Sequence, residues 1–290
     1  MKYIALGLLL VIAGLATLVT CSPAFNARAY SALQGDNKPM APFSIADGLH
    51  YIGASNVASY AIETQDGLIV IDGGYAETVP IILENLATLG FKPSDVSLIL
   101  NTQSHMDHAA GLAPLKAATG ARLAALPASS EELARGGRDD FFLGNYMAYA
   151  PIQADIILKD AEPFEWGGKT LTPLNTAGHT RGCTSWVFEA EIEGAPHQAL
   201  LICSLAILRY KLVDNEKWPG IANAFQATFD LLENTPCDVF LEVHGFNFDL
   251  EEKRAALADN PTAFVDPEGC RRYISYNRLQ FENRLAAQSD

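Results

Sequence analysis

The feature that most constrains this chain is a polar hexapeptide, Gln-Ser-His-Met-Asp-His, at positions 103–108 directly after an apolar run. The run, residues 96–101, reads Val-Ser-Leu-Ile-Leu-Asn and is typical of a buried β-strand. Imidazole nitrogen and carboxylate oxygen are the usual protein ligands of catalytic zinc. A strand that runs into a loop carries such ligands to the edge of a sheet, where a small molecule can reach them. The chain is therefore expected to build a sheet with a metal site at one edge.

Two further histidines lie after or near strand-like apolar segments, in Gly178-His179-Thr180 and Val243-His244-Gly245. A single histidine is more often an ordinary hydrogen-bonded polar residue than a ligand. The chain has only 6 histidines, however, and four of them fit one pattern of ligands. The set therefore favours a metal site.

This combination resembles the metallo-β-lactamase superfamily, whose pattern is His-x-His-x-Asp-His, then Gly-His-Thr, then a late histidine. It is most similar to subclass B3 of the zinc β-lactamases, and to the group within it that carries glutamine, here Gln103, at the first ligand position. The resemblance extends to residues 69–74, an early strand that ends in an acidic turn, and to residues 177–186. It covers most of the chain after the leader.

The resemblance implies an α/β fold of two sheets faced by helices, the αββα sandwich. Composition alone supports only an α/β protein. Helices are predicted over residues 78–89, 112–119, 221–232 and 267–287, and strands over residues 57–64, 68–72, 96–101, 121–125, 155–158, 170–174, 184–189, 199–203 and 239–243. Residues 136–153 lack periodicity and are expected to form a long surface loop beside the site.

Length and charge narrow the possible partners. At 290 residues, 49% hydrophobic and 19% charged, the chain can bury a single core of substantial size. The formal net charge of −14 argues against nucleic acid, because phosphates need lysine and arginine partners. It also disfavours adsorption to anionic membrane surfaces.

The N-terminus has the features of an export leader. Lys2 precedes an apolar stretch, residues 4–19, that is short for a membrane span. Because residues 27–29, Ala-Arg-Ala, have the form that precedes signal peptidase cleavage, residues 1–29 are expected to be a signal peptide and residues 30–290 the catalytic domain. Cleavage would give a periplasmic or secreted protein without a membrane span. The alternatives are an uncleaved anchor and lipid attachment at Cys21.

Carried over residue by residue, the resemblance implies two zinc sites, each with three protein ligands and open coordination, as in catalytic zinc. The first would use Gln103, His105 and His179, and the second would use Asp107, His108 and His244. An amide oxygen binds zinc more weakly than imidazole, so the first site is expected to be the looser one. Two alternatives stay open: Gln103 points away from an empty first site, or the enzyme works with the second metal alone and Asp107 orients its water. One or two zinc ions per chain are expected.

Two more residues receive roles from the resemblance. Asp72 fits a carboxylate that hydrogen-bonds a metal ligand and fixes its orientation, or else a turn residue before two glycines. Ser204 lies where relatives carry a serine that contacts the substrate carboxylate or a metal-bound water. Many relatives have a second serine where this chain has Ala206, which predicts a weaker hold on that carboxylate. A rival interpretation makes Cys203 a zinc ligand, but Cys203 and Ser204 would face opposite sides of a strand, and Ser204 is preferred.

Of the five cysteines, Cys21 belongs to the leader, and the other four allow three complete pairings. Export permits disulfides. The resemblance suggests a bridge between Cys237 and Cys270. Cys183 and Cys203 are then expected to be free and buried as small apolar groups.

The activity that the resemblance implies is zinc-dependent hydrolysis of the β-lactam amide bond of penicillins, cephalosporins and carbapenems by a metal-bound hydroxide, conferring antibiotic resistance. The expected partner is a small β-lactam, and the expected state is a monomer. The alternative is another hydrolase of this fold, a glyoxalase-like thioesterase or a lactonase. Those relatives usually bridge their metals with an aspartate where this chain reads Ile202-Cys203-Ser204. A scaffold that kept the fold and lost the activity is the non-enzyme alternative.

Overall fold

The computed structural model describes residue 35 and residues 37–289. The expected signal peptide, residues 1–29, lies outside this part of the chain, and so does Cys21. Within the described part, no helix is both long enough and apolar enough to cross a membrane.

The first sheet has seven strands that lie side by side in sequence order. They are β1 (Phe43–Ala46), β2 (Leu49–Tyr51), β3 (Tyr60–Thr64), β4 (Gly67–Ile71), β5 (Val96–Leu100), β6 (Arg122–Ala125) and β7 (Ile156–Ile157). Neighbours from β1 to β4 are antiparallel, so that β3 and β4 form a hairpin, and neighbours from β4 to β7 are parallel. Because the carboxyl ends of parallel strands meet at one edge, β5 delivers residues 101–108 to that edge.

The second sheet has five strands in the order β12-β11-β10-β9-β8. They are β8 (Phe164–Trp166), β9 (Lys169–Asn175), β10 (Thr184–Ile192), β11 (Ala195–Ile202) and β12 (Val239–Glu242). All neighbours are antiparallel except β11 and β12, which are parallel. The β9–β10 turn and the segments after β11 and β12 therefore carry residues 176–183, 203–206 and 243–244.

Helices and short 3-10 turns complete the described chain. The α-helices are α1 (Val79–Thr88), α2 (Met106–Ala109), α3 (Leu112–Thr119), α4 (Pro127–Ala134), α5 (Ile221–Glu233), α6 (Leu250–Ala256) and α7 (Pro267–Ser289). The 3-10 turns are Ala76–Thr78, Pro93–Asp95 and Gly245–Asn247.

Strand β4 is buried on both of its faces, which explains why its sequence is an uninterrupted apolar run. Ile69 and Ile71 belong to the core between the two sheets, where they join Trp186 of β10. Leu68 and Val70 alternate with them and belong to a second core, on the face that α1 and α3 cover. A strand buried on both faces needs apolar residues at every position.

Helices α5 and α7 cover the outer face of the second sheet. Their aromatic side chains meet there, with ring centroids 5.6 Å apart for both Phe225–Phe281 and Phe229–Phe281. Each sheet is thus faced by helices, and the predicted αββα sandwich is confirmed.

Some helices and strands are not predicted by any sequence pattern. Helices α4 and α6 and strand β8 were not expected. Helix α4 buries only Ser129, Glu132 and Leu133, so its apolar stripe is too thin to detect. Residues 136–153 contain turns and no helix or strand, as predicted for a long loop.

The cysteines form two disulfides, not one. The predicted bridge between Cys237 and Cys270 is present, with Cα atoms 6.5 Å apart. Cys183 and Cys203, expected to be free, are bridged to each other, with Cα atoms 5.8 Å apart. The antiparallel β10–β11 register pairs Trp186 with Leu201, so its extension would place Cys203 opposite Thr184, the residue after Cys183. The two cysteines thus lie at adjoining ends of paired strands, one residue out of register. The pairing depends on how β10 and β11 lie against each other, which no local pattern contains, and the bond also removes Cys203 from the possible zinc ligands.

Candidate metal centre

The loop after β5 is held in one conformation by buried hydrogen bonds. The Asn101 side chain donates a hydrogen bond to the backbone carbonyl of Gln103 at 2.8 Å and accepts one from the Ser129 hydroxyl at 2.9 Å. The Tyr149 hydroxyl, from the long loop, donates to the Ser104 carbonyl at 2.7 Å. The loop ends at His105, the residue that precedes α2. The backbone of the loop is therefore fixed by buried contacts rather than left to solvent.

Asp107, His108 and His244 converge into one group of ligand atoms, all within 4.8 Å of one another. The His108 Nε2 atom lies 3.2 Å from Asp107 Oδ2 and 3.3 Å from His244 Nε2. The third side of the triangle, from His244 Nε2 to Asp107 Oδ2, is 3.5 Å. Two ligands of tetrahedral zinc, each about 2.0–2.1 Å from the metal, lie about 3.3–3.4 Å apart. The triangle fits a zinc ion by size and by donor type.

The side chains of this group shift one another's pKa values. Burial alone would raise the pKa of the Asp107 carboxyl, but His108, with His244 and His105, lowers it below its usual range. Burial would lower the pKa of His108, but Asp107 and Asp72 raise it to about 10. Asp107 is thus an anion at neutral pH, and a metal that binds His108 must displace a proton.

A second group forms around His105 and His179. The Nδ1 atom of His105 lies 3.0 Å from Nε2 of His179. The other His179 nitrogen donates to the Ala206 carbonyl at 2.7 Å, which fixes the ring orientation. Burial and the neighbouring His105 lower the pKa of His179 to about 3, so this imidazole is neutral and able to bind a metal.

Gln103 is fully buried in the same loop. Among the described residues, neither its amide oxygen nor its amide nitrogen has a hydrogen-bond partner. A buried amide without partners is rare, because it loses its bonds to water and gains none. This orphaned amide is compatible with a third ligand for the group of His105 and His179.

Asp72 lies at the end of β4 with a left-handed backbone, φ 64°. Its carboxylate accepts hydrogen bonds from the Thr102 backbone N–H at 2.8 Å and the Asn101 side chain at 3.1 Å. Its Oδ2 atom also lies 3.5 Å from His108 Nδ1, on the side of the ring away from the triangle. Asp72 therefore lies in a left-handed turn and also places its carboxylate beside a candidate ligand.

A cavity of about 350 Å³ opens directly onto both groups. Its wall includes His105, Asp107, His179, His244 and the predicted Ser204. None of the described residues that line it is a lysine or an arginine. The structure thus brings four of the predicted ligands and Ser204 to one cavity wall, whereas Gln103, His108 and Asp72 do not line it.

The mouth of this cavity is apolar. Tyr146, Leu208 and Phe246 line it and are exposed, Phe246 to 71%. The Phe246 ring stacks on the His244 ring, with centroids 5.7 Å apart. Exposed apolar side chains around a polar floor suit a ligand that is part apolar and part polar.

Sequence reasoning missed two groups behind the site. Asp140, in the long loop, places a carboxylate oxygen 3.8 Å from His105 Nε2. The Tyr210 hydroxyl donates to the His179 carbonyl at 2.8 Å. Both come from segments without periodicity, and no local pattern marks them.

Two histidine-rich groups at one edge of an αββα sandwich define a candidate metalloprotein with a small-molecule cavity. Comparison with known proteins gives the same class. A family model described as the metallo-β-lactamase superfamily matches residues 52–191.

Solved structures match over nearly their whole length. A Cronobacter sakazakii metallo-β-lactamase with a HARLDQ motif is 36% identical, with a TM-score of 0.85, over 89% of this chain and 99% of that chain. FEZ-1 metallo-β-lactamase from Legionella gormanii is 37% identical, with a TM-score of 0.85, over 87% and 98%. LRA-12, a class B3 di-zinc metallo-β-lactamase from an Alaskan soil metagenome, is 32% identical, with a TM-score of 0.81, over 85% and 94%. The chain belongs to the metallo-β-lactamase superfamily.

Proposed function

We propose that this protein is a metallo-β-lactamase that hydrolyses the amide bond of penicillins, cephalosporins and carbapenems and so confers antibiotic resistance. The observation that carries the proposal is the triangle of Asp107, His108 and His244, two of which line a cavity, in a chain 36–37% identical to two metallo-β-lactamases. Zinc, when bound there, would polarise the substrate carbonyl and make water a nucleophile at neutral pH.

Two zinc ions are proposed, with unequal affinities. Asp107, His108 and His244 would hold the tighter one, because a carboxylate and two imidazoles provide charge as well as donors. His105, His179 and the Gln103 amide would hold the looser one, because the amide is neutral.

The protein residues have separate tasks in this proposal. The Asp107 carboxylate, which lines the cavity, can accept a hydrogen bond from a water molecule and orient it. Asp72 would keep the His108 ring in place from behind. The Ser204 hydroxyl, with no second serine at Ala206, would hold the substrate carboxylate weakly. The apolar mouth would contact the substituents on which β-lactams differ, so a broad range of them fits.

A thioesterase or lactonase of the same fold is less well supported. The segment after β11 offers Cys203, which is bonded to Cys183, and Ser204, but no aspartate. The two disulfides suit an oxidising compartment, in line with export to the periplasm or beyond the cell. The proposed oligomeric state is a monomer.

Hydrolysis assays on purified, zinc-loaded protein test the activity. We expect turnover of a penicillin, a cephalosporin and a carbapenem, inhibition by chelators, and no effect of inhibitors that acylate serine enzymes. A glutathione thioester and an acyl-homoserine lactone run in parallel decide between the activities. Turnover of either one without turnover of any β-lactam would assign the protein to the other branch of the superfamily.

Ligand variants test the site. His108→Ala and His244→Ala should each remove most activity, whereas His105→Ala and His179→Ala should be milder if one metal suffices. His197→Ala, on β11 and away from both groups, is the matched control. Wild-type turnover in His108→Ala would disprove the tighter site.

A further inference from the structure

A buried carboxylate stands behind the cavity, at the last position of β12. Glu242 is fully buried and does not line the cavity. One carboxylate oxygen accepts the backbone N–H of His244, and the other accepts the Tyr273 hydroxyl at 2.8 Å. Burial of a carboxylate is unfavourable unless its bonds to water are replaced. An apolar residue would suffice for packing at the end of this Val-Phe-Leu-Glu strand, so the carboxylate must be explained by its contacts.

The contacts continue from Tyr273 to the other group of candidate ligands. The Tyr273 oxygen accepts the Leu205 backbone N–H at 3.3 Å. The next residue, Ala206, offers the carbonyl that accepts the His179 ring N–H at 2.7 Å. A continuous path thus runs from the backbone of His244 to the ring of His179, through three separate parts of the fold.

Helix α7, which carries Tyr273, is itself held against β12. The disulfide joins Cys270, three residues before Tyr273, to Cys237, two residues before β12 begins. Tyr273 therefore approaches Glu242 from a helix whose position on β12 is fixed covalently. A rigid support of this kind is what a ligand needs if its geometry is to be preserved.

We propose that Glu242 and Tyr273 are positioning residues that hold His244 and His179 in the arrangement that binds zinc. This inference rests on the proposed function only for the identity of the metal. Glu242 fixes the backbone of His244, and Tyr273 fixes the segment whose carbonyl orients His179. Removal of either contact leaves every ligand in place but loosens the geometry of both groups.

Two conservative variants separate this role from simple packing. Tyr273→Phe removes only the hydroxyl. Glu242→Gln keeps the size of the side chain, but its amide offers one oxygen for two donors, the Tyr273 hydroxyl and the His244 N–H. The matched controls are Tyr276→Phe, an exposed tyrosine on the same helix, and Glu252→Gln, an exposed glutamate on α6.

The primary measurement is zinc affinity, by competition of metal-free protein with a chromogenic chelator. We expect both variants to bind zinc about 10- to 100-fold more weakly than the wild type, and both controls to match the wild type. The metal-free variants should still unfold cooperatively, with midpoints lowered only modestly by the lost buried hydrogen bond. Excess zinc should restore most of kcat with a penicillin, which it would not do for a residue in the chemical step.

Three results would overturn the inference. The first is wild-type zinc affinity in both variants. The second is a raised KM in Tyr273→Phe alone with unchanged zinc binding, which would make Tyr273 a substrate contact. The third is a fall in the metal-free midpoint large enough to explain the weaker binding. If wild-type protein binds zinc but hydrolyses no β-lactam, the proposed function fails, while the zinc comparison still decides this inference.

Discussion

Gln103 shows how a single side chain can indicate a metal. An unpaired buried amide costs about 1–3 kcal/mol, and Gln103 has two such amide atoms among the described residues. Coordination of the amide oxygen would offset part of that cost. Glutamine in place of histidine at this position is therefore compatible with a weaker zinc ligand rather than with the loss of a ligand.

Replacement of Gln103 tests this role. We expect Gln103→His to raise zinc affinity at the first position on the order of tenfold, the scale on which changes around a metal site act, because imidazole is the stronger donor. Gln103→Ala should lower it. Isothermal titration of metal-free protein measures stoichiometry and affinity together. Identical titrations for all three proteins would show that Gln103 does not bind the metal.

Helix α7 depends on an aspartate at its N-terminus. The Asp266 carboxylate accepts the Gly269 backbone N–H at 2.8 Å and lies 2.9 Å from the Lys253 ammonium. Burial would raise the pKa of Asp266, but Lys253, the Gly269 N–H and Arg272 lower it below its usual value. A carboxyl whose pKa is lowered by folding stabilises the fold above its unfolded pKa, and that contribution is lost as pH falls through the folded pKa.

We therefore expect Asp266→Ala to lower the free energy of unfolding at pH 7 by about 0.5–2 kcal/mol, the range for loss of an N-terminal cap. Asp266→Asn keeps a cap but loses the charge, so it should cost less at pH 7. The Asn variant should match the wild type once pH is below the folded pKa. Urea unfolding of metal-free protein at pH 7 and at low pH measures both effects. The exposed Asp259→Ala serves as control, and a pH-independent Asp266→Asn difference would contradict the ion pair.

What the sequence could predict differs from element to element for physical reasons. Strand β5 and the residues after it were predicted together, because a doubly buried strand needs a continuous apolar run and the ligands follow it directly. Helix α4 was missed because it packs through a serine and a glutamate. The Cys183–Cys203 bridge, Asp140 and the Glu242–Tyr273 contact depend on distances between elements far apart in sequence. No local pattern contains those distances.

At the scale of the whole molecule, the two groups of candidate ligands join the two sheets. Asp107 and His108 follow β5 of the first sheet, and His244 follows β12 of the second. The other group is divided in the same way, since His105 follows β5 and His179 lies between β9 and β10. A metal bound by either group would therefore connect the two layers of the sandwich, and its binding energy would add to the stability of the fold.

Zinc should consequently raise the unfolding midpoint in proportion to the logarithm of its concentration. At 100 times the dissociation constant the gain is about 2.7 kcal/mol, or about 5–10 °C for a domain of this size. The core between the sheets does not need the metal, so chelated protein should still unfold cooperatively, at a lower temperature. Scanning calorimetry at several free zinc concentrations measures the shift.

The His108→Ala variant should lose most of this zinc-dependent shift. The His197→Ala variant should keep it, because His197 lies on β11 outside both groups. A wild-type midpoint that is the same with zinc and with chelator would contradict a metal that connects the two sheets.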